Sequence, residues 1–425
     1  MPKSSRNLYN NAMQENSRYA VGIDIGTTTV RTVVSHVDQS TGAMTIVGAG
    51  MAPNSGMRKG MVVTLNGPAH AIDEALGEAE RVSGHQVREA TVSINGTHIL
   101  STHADGMIAV GAVDHEINGE DLDRVEEVAT VGKVPPNRKI LEVVPHSYRL
   151  DGQDNIRDPL GMTGTRLEID AHVVSVLTPH ITNVEKVAEM IKVQPKAIVT
   201  PGIAAARAVL DEQQMEHGVG LLDIGGATTN IAVYSEGDLQ FTAVLPVGGM
   251  NITNDLAIGL KVDPSVAEKI KIKHALATKR VEHEVIKIKH DGEEFSFETQ
   301  EIDDIVEARL EELFEDIQKV LKRAGHAGNL PSGVVLTGGT ANLKGIVEYA
   351  KQTLGVAARV GKVKGLGGMN ESVDGPQFAV VAGLMLLDSE QGPVSTPRQK
   401  KHDISKNSLV QGVMSVFSKA FGKVK

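Results

Sequence analysis

The chain has 425 residues, a formal net charge of −10, 41% hydrophobic residues, only 3% aromatic residues, no Trp and no Cys. This length can form two or more domains with large aliphatic cores, and the absence of cysteine excludes disulfides and thiolate metal sites. The acidic balance and the scarcity of aromatics argue against nucleic acid as a partner, whether held by charge or by base stacking, and no run approaches the ~18 apolar residues of a membrane-spanning helix.

Residues 1–18 are polar, lack the apolar core of a signal peptide, and are expected to be disordered. The stretch that follows, from Tyr19 to Val30, is predicted to be a strand, a tight turn and a second strand. Val21, Ile23 and Ile25 alternate with small or polar residues, and Asp24 projects from the strand's end. Gly26 permits the turn, and Thr27, Thr28 and Thr29 offer hydroxyls and backbone N–H groups to an anion. Their β-branching favours resuming as a strand, so the pattern fits a hairpin folded around phosphate oxygens.

Residues 48–59 read as a Gly/Pro/Ser/Met-rich loop, and a helix is expected from about 68 to 82 on the spacing of Ile72, Ala75, Leu76 and Ala79. From 89 to 177 the texture changes to short strands, at 90–94, 107–110, 140–148 and 168–177. A helix over 119–131 interrupts them, with acidic residues in its first turn. Asn95-Gly96-Thr97 reads as a hairpin turn. This block has the character of an inserted subdomain. A helix at 181–191, a short buried strand at 197–199 and a small-residue helix at 204–210 follow.

From Val219 to Tyr234 the first design returns: a hydrophobic strand, Asp223-Ile224-Gly225-Gly226-Ala227-Thr228-Thr229, and a second strand. Two copies imply two similar half-molecules, each presenting a phosphate hairpin to a shared cleft. Next come a strand at 239–245, the turn Pro246-Val247-Gly248-Gly249, and helices at 251–260 and 264–275, the latter capped by Asp263 with Pro264 at its first position. A charged hairpin is expected over 279–300, turning at Asp291-Gly292, then a long amphipathic helix at 302–323. A third Gly-rich strand end, Gly338-Gly339-Thr340, follows the strand 334–337, and a helix follows at 343–354.

The candidate chemistry is that of phosphate and metal. Asp24 and Asp223 at mirrored positions suit a hydrated Mg²⁺ held against phosphates; taken singly, each would only cap its own turn. Glu268 and Lys271 lie one helical turn apart, placed either to meet a ribose and cover a purine or to form a solvated ion pair. Gly338, Gly339 and Thr340 allow close approach of an adenosine at a strand's carboxyl end, or form a plain strand–helix turn. None of the 15 His residues falls in a catalytic or metal-binding pattern, and there is no nucleophile elbow and no Walker A loop.

Residues 389–408 read as a flexible linker. Beyond it Val410, Val413, Met414, Phe417, Phe421 and Val424 form one helical stripe. From 389 to 425 there are seven Lys/Arg and two Asp/Glu, a net of +5 against −15 for the remainder. Such a segment suits an anionic membrane surface; the alternative is docking on the protein's own body or on a partner.

Together these residues resemble the actin/Hsp70/sugar-kinase ATPase superfamily, with Asp24–Thr29 and Asp223–Thr229 similar to its phosphate motifs and Gly248-Gly249, Glu268–Lys271 and Gly338–Thr340 similar to its adenosine motifs. Lys59-Gly60-Met61-Val62, the block from Val144-Pro145 to Met162, the segment from Leu245 to Ala257 and the ending are similar to FtsA, the bacterial cell-division family. The resemblance implies an α/β actin-like ATPase fold of two duplicated RNase H-like domains. The first covers 19–88 and 178–212, the FtsA-type insert 89–177, and the second 213–388 with a small subdomain near 255–325. It further implies ATP and Mg²⁺ as cofactors, self-assembly into filaments, attachment to the cytoplasmic face of the membrane at the septum, and binding of the FtsZ tail and other division proteins. One departure bears on catalysis. The family pattern expects Gln or Glu near the start of the helix before the second phosphate motif, but here stand Thr200-Pro201-Gly202-Ile203. That departure predicts slow hydrolysis at most. A small-molecule kinase and a pilus-assembly ATPase of the same superfamily are the alternatives.

Overall fold

The computed structural model describes residues 18–111, 115–368 and 373–390. The N-terminal tail, most of the linker and the C-terminal apolar stripe named above lie outside the described residues.

Two sheets share one design. In the first, β1 (Arg18–Ile25), β2 (Thr29–Val37) and β3 (Met44–Pro53) run antiparallel in series. After the two-residue strands β4 (Met57–Arg58) and β5 (Met61–Val62) and helix α1 (Asn66–Ser83), β6 (Glu89–Ser93) joins β1 in parallel. An inserted unit then intervenes. It is a four-stranded sheet of β7 (Leu100–Ala109), β8 (Arg138–Leu150), β9 (Gln153–Ile156) and β10 (Arg166–Leu177), in the order β7-β10-β8-β9, with α2 (Gly119–Thr130) on one face. A capping box between Asn118 and Asp121 starts that helix. The chain returns through α3 (Thr178–Met190) to β11 (Gln194–Val199), which joins β6 in parallel, and continues into α4 (Pro201–Val209) and the short α5 (Glu212–His217).

The second sheet repeats the first. β12 (Val219–Ile224), β13 (Thr229–Ser235) and β14 (Asp238–Leu245) are antiparallel in series. After α6 (Gly249–Gly259), α7 (Pro264–His274), the hairpin β15 (Val285–His290) and β16 (Glu293–Glu298), and α8 (Thr299–Arg323), β17 (Val334–Thr337) joins β12 in parallel. Helix α9 (Ile346–Leu354) leads to β18 (Ala358–Val360), which joins β17. The strand β19 (Leu366–Gly368) adds to the first sheet beside β3, and α10 (Ala379–Glu390) closes the described chain. The two five-strand cores therefore have the same order and the same directions.

The closing helices are exchanged. Helix α4 ends the first half but packs on β12 and β13, while α10 ends the second half but packs on β1, β2 and β6. Small residues make this possible. Ala204, Ala205 and Ala206 are fully buried, and a Cβ on Gly383 of α10 would collide with the Ala204 carbonyl. Likewise a Cβ on Gly22 of β1 would collide with the α10 backbone. Helices α4 and α10 pack on each other between the two sheets, and the ends of β1 and β12 meet at one cleft.

Several elements differ from the sequence expectation. Residues 48–53, expected in a loop, are the second part of β3. Their glycines serve packing, because a Cβ on Gly48 or Gly50 would collide with the carbonyls of Ala79 and Ala75 on α1. The strand at 89–93, expected at the start of the inserted block, pairs with β1 in the first sheet. Asn95-Gly96-Thr97 is not a hairpin turn but the crossing from that sheet to the insert. The strand expected at 107–110 is the end of a longer strand, β7. The strand at 197–199 is an edge strand and only partly buried. Residue Gly249, expected in a turn, starts α6, and the helix after Thr340 begins only at Ile346, after a 3₁₀ turn over Gly339–Asn342. The linker expected from 389 begins later, since Ser389 and Glu390 complete α10.

Candidate functional site

Both hairpins form as a strand, a short Gly-Thr turn and a strand. In the first, Asp24 stands opposite Arg31; in the second, Asp223 stands opposite Asn230. Ser93, which ends β6 beside β1, donates its hydroxyl to Asp24 Oδ1 at 2.9 Å. Thr337, which pairs with Asp223 across the β12–β17 register, donates to Asp223 Oδ1 at 3.4 Å, and Asn230 Nδ2 donates to Oδ2 at 3.0 Å. The turns approach closely: a Cβ on Gly226 would lie 2.7 Å from the Thr28 methyl.

Between them opens a cavity of about 780 Å³, within the size range of small-molecule and cofactor sites. Asp24, Gly26, Thr27, Thr28 and Thr29 line one side, and Asp223, Gly225, Gly226 and Thr228 the other. Gly249, Glu268, Lys271, Gly338, Gly339 and Thr340 line the far end. Three of the sequence candidates, Ala227, Thr229 and Gly248, are not among the lining residues. Thr229 is fully buried and donates its hydroxyl to the Val247 carbonyl at 2.8 Å. Gly248 packs under the second turn, where a Cβ would lie 2.6 Å from the Gly225 carbonyl oxygen.

Glu268 and Lys271 form a 2.6 Å ion pair in which the lysine is largely covered and the glutamate stays exposed. The Lys271 ammonium also donates to the Gly249 carbonyl at 3.1 Å and to Thr253 Oγ1 at 2.8 Å, and the Thr253 hydroxyl in turn donates to Glu268. The lysine therefore braces the start of α6 and is not free to lie flat over a base. Exposed Ile272, the next residue on the cavity wall, offers the apolar surface instead.

The electrostatics favour a cation. Burial raises the Asp24 carboxyl above its ordinary value, while the Arg31 guanidinium and the Ser93 hydroxyl pull it back. Burial, then the nearby Asp24 charge, pushes Asp223 up to about 6. Two buried carboxylates facing one cavity, with the charge of Asp24 raising the proton affinity of Asp223, form a site that a divalent ion relieves. Among the described residues no group of three His, Asp or Glu is arranged to hold a metal ion. Two carboxylates with phosphate oxygens and water suit hydrated Mg²⁺, and the residues present fit that ion.

Arg31, Asn95, Asn254 and Gln377 also line the cavity and escaped the sequence reading. Arg31 was recoverable: once the turn is fixed, the antiparallel register places it across from Asp24. The other three reach the cavity through long-range topology. Pro201, where α4 begins, lines it too, and no Gln or Glu stands there to orient water.

Comparisons with known proteins agree with this geometry. A family model described as "Cell division protein FtsA" matches residues 220–383, and "SHS2 domain inserted in FTSA" matches residues 96–175. Cell division protein FtsA of Pseudomonas aeruginosa is 35% identical over 379 residues, covering 88% of this chain and 90% of that one. That of Bacillus subtilis is 34% identical over 377 residues, covering 88% and 84%. The chain belongs to the FtsA family of cell-division proteins. Among solved structures, a PilM-PilN type IV pilus biogenesis complex aligns at TM-score 0.66 and 18% identity, covering 88% of this chain and 99% of that one. MreB5 of Spiroplasma citri bound to AMPPNP aligns at TM-score 0.54 and 13% identity, covering 88% and 97%. The fold is therefore actin-like, and the exchanged helices and repeated sheets are its duplicated halves. Among the described residues of this FtsA-family chain, no helix is long and apolar enough to cross a membrane.

Proposed function

We propose that this FtsA-family protein binds ATP with Mg²⁺ in the cleft between its hairpins, assembles with copies of itself on the cytoplasmic face of the membrane, and tethers the FtsZ ring there. The carrying observation is the pair of buried aspartates at mirrored strand ends, facing one cavity of about 780 Å³. In this reading Asp24 and Asp223 hold the hydrated metal ion. The Thr27–Thr29 and Gly225–Thr228 turns bind phosphates, while Glu268, Gly338, Gly339 and Thr340 meet the nucleoside. Mg²⁺ would neutralise phosphate charge; the chain's own residues orient the phosphates and exclude water. With no Gln or Glu at the start of α4, hydrolysis is slow and the nucleotide acts as a structural switch. In this reading Asp24 and Asp223 are committed to the metal ion and Glu268 to Lys271, which leaves no other carboxylate among the described wall residues as a base for a substrate hydroxyl and disfavours a small-molecule kinase.

The amphipathic segment carrying Val410, Val413, Met414, Phe417, Phe421 and Val424 supplies the membrane contact, at roughly 25 cal/mol per Å² of apolar area buried, and the FtsZ tail docks on the small subdomain near 255–325. Co-sedimentation with anionic liposomes tests the reading, comparing the full chain with one ending at Asp403, with and without Mg-ATP. The full chain should pellet and the shortened chain should not, with more protein bound when Mg-ATP is present. If both stay in the supernatant under every condition, the tether reading fails.

A further inference from the structure

The crossing from β6 into the inserted domain lies against both phosphate turns. Asn95 is its first residue. The Asn95 side-chain oxygen accepts from Gly96 N at 2.7 Å, which orients the amide so that Nδ2 donates to Thr228 Oγ1 at 3.0 Å, across the cleft in the second hairpin. The first hairpin reaches the same point by another route. Thr27 Oγ1 accepts from Gly60 N at 3.1 Å, and a Cβ on Gly60 would lie 3.0 Å from Gly96 N and 3.2 Å from the Asn95 carbonyl carbon.

Behind Asn95 the crossing is tied into the insert. The Asn95 carbonyl bonds to His98 Nε2 at 3.1 Å, and the His98 ring stacks on His180 of α3 at 4.0 Å and 3°. Arg138, the first residue of β8, donates to the carbonyl of His98 and to the Ser175 carbonyl at 2.9 Å. Both strands of chain that join the insert to the first half are thus fastened at one knot, and that knot ends in the Asn95 amide.

We propose that Asn95 is a positioning residue of the nucleotide site. By donating to Thr228 Oγ1 it leaves the Thr228 hydroxyl proton free to donate to an oxygen of the terminal phosphate of a bound nucleoside triphosphate, and through His98 and Arg138 it passes the state of that phosphate to the inserted domain. The inference rests on the ATP-binding reading above. A diphosphate reaches less far between the turns and leaves this contact unmade, so the residue discriminates triphosphate from diphosphate.

The test uses the full chain with Mg²⁺ and either ADP or the non-hydrolysable analogue AMPPNP. Affinities come from calorimetry, and hydrogen–deuterium exchange is followed over residues 96–111 and 138–177. Asn95→Ala should lose about fivefold more affinity for AMPPNP than for ADP, the scale of one hydrogen bond. Asn95→Asp keeps the shape but reverses the bond's sense, drawing the Thr228 proton inward and adding negative charge; its selective loss should exceed about tenfold. Thr228→Val should match Asn95→Ala, and the double variant should be no worse than either alone. In the wild type AMPPNP should change exchange in the insert, and in Asn95→Ala it should not. Equal losses for the two nucleotides, or an insert that still responds in the variants, would overturn the inference while leaving ATP binding intact. If the wild-type protein binds neither nucleotide, the ATP reading fails and the inference falls with it.

Discussion

Opposite Asp24, across the first hairpin, stands Arg31; opposite Asp223, across the second, stands Asn230. The two positions share a strand that carries the aspartate, a glycine-led turn of the same length, and a hydroxyl donated from the parallel neighbour, Ser93 in one half and Thr337 in the other. One half answers its buried carboxylate with a cation, the other with a neutral amide. Burial raises both carboxyls, but the next largest influence has opposite sign: the nearby Asp24 charge adds to burial and pushes Asp223 up to about 6, while at Asp24 the Arg31 charge opposes it. Duplication fixed the geometry of the pair, and the residue across each hairpin sets the charge. The two aspartates therefore share a metal site without being interchangeable.

Replacing each aspartate in turn tests that asymmetry most directly. Asp24→Asn and Asp223→Asn should each weaken Mg²⁺-dependent nucleotide binding by roughly 10–100-fold, the usual effect of removing a group that orients a metal's ligands. The ligand-free protein should separate them. Asp223→Asn removes a carboxylate whose ionisation the fold resists and should raise stability by about 1–3 kcal/mol at neutral pH, whereas Asp24→Asn should give a smaller gain because it also removes the negative charge that the Arg31 guanidinium stabilises. Thermal unfolding without nucleotide measures this, and equal shifts would break the comparison. The crossing of the halves gives a second large effect. Gly383→Ala places a Cβ against the Ala204 backbone and should destabilise by about 1–3 kcal/mol. An unchanged melting temperature would mean that α4 and α10 do not meet as closely as described.

The duplicated hairpins were legible in the sequence because each is local: strand alternation, glycine and β-branched threonines all act within a dozen residues. The insert's helix was legible for the same reason, through its acidic first turn. Long-range pairings were not. The strand at 89–93 looks like its neighbours in the insert but finds its partner in β1, more than sixty residues earlier. Gly48 and Gly50 read as loop glycines because nothing nearby reveals that α1 rests on them. Helix α10 carries almost no amphipathic signal, since it is buried on nearly every side, with Ala379, Val381, Ala382, Leu384 and Met385 all inaccessible. Asn95 was visible as a turn residue, but its place beside Thr228 depends on the second half of the molecule.

Making the first hairpin resemble the second sharpens the comparison further. Arg31→Asn removes the guanidinium that lowers both carboxyls and faces the cavity. Nucleotide affinity should fall about tenfold, the scale of one charge-assisted contact, and both aspartates should titrate at higher pH. Isothermal titration of Mg-ATP at two pH values reads both effects. An affinity that is unaltered at either pH would show that Arg31 does not act on the phosphates or the carboxylates.

The smallest effect follows from the proton on Asp223. Its folded value of about 6 lies above the ordinary carboxyl value of 3.8, so the folded state holds a proton that the unfolded chain has already lost. The stability this group contributes is complete below pH 3.8 and is lost as pH rises through about 6. Metal binding runs the other way, because Mg²⁺ needs the carboxylate and must displace that proton. Mg-nucleotide affinity should therefore drop about fourfold between pH 7.5 and 5.5, and the same step should release a fraction of a proton, measurable as a buffer-dependent binding enthalpy. In Asp223→Asn the residual affinity should vary less over this range. If the variant keeps the full wild-type pH dependence, the titrating group is not Asp223, and the amide across the second hairpin no longer explains why the two halves differ.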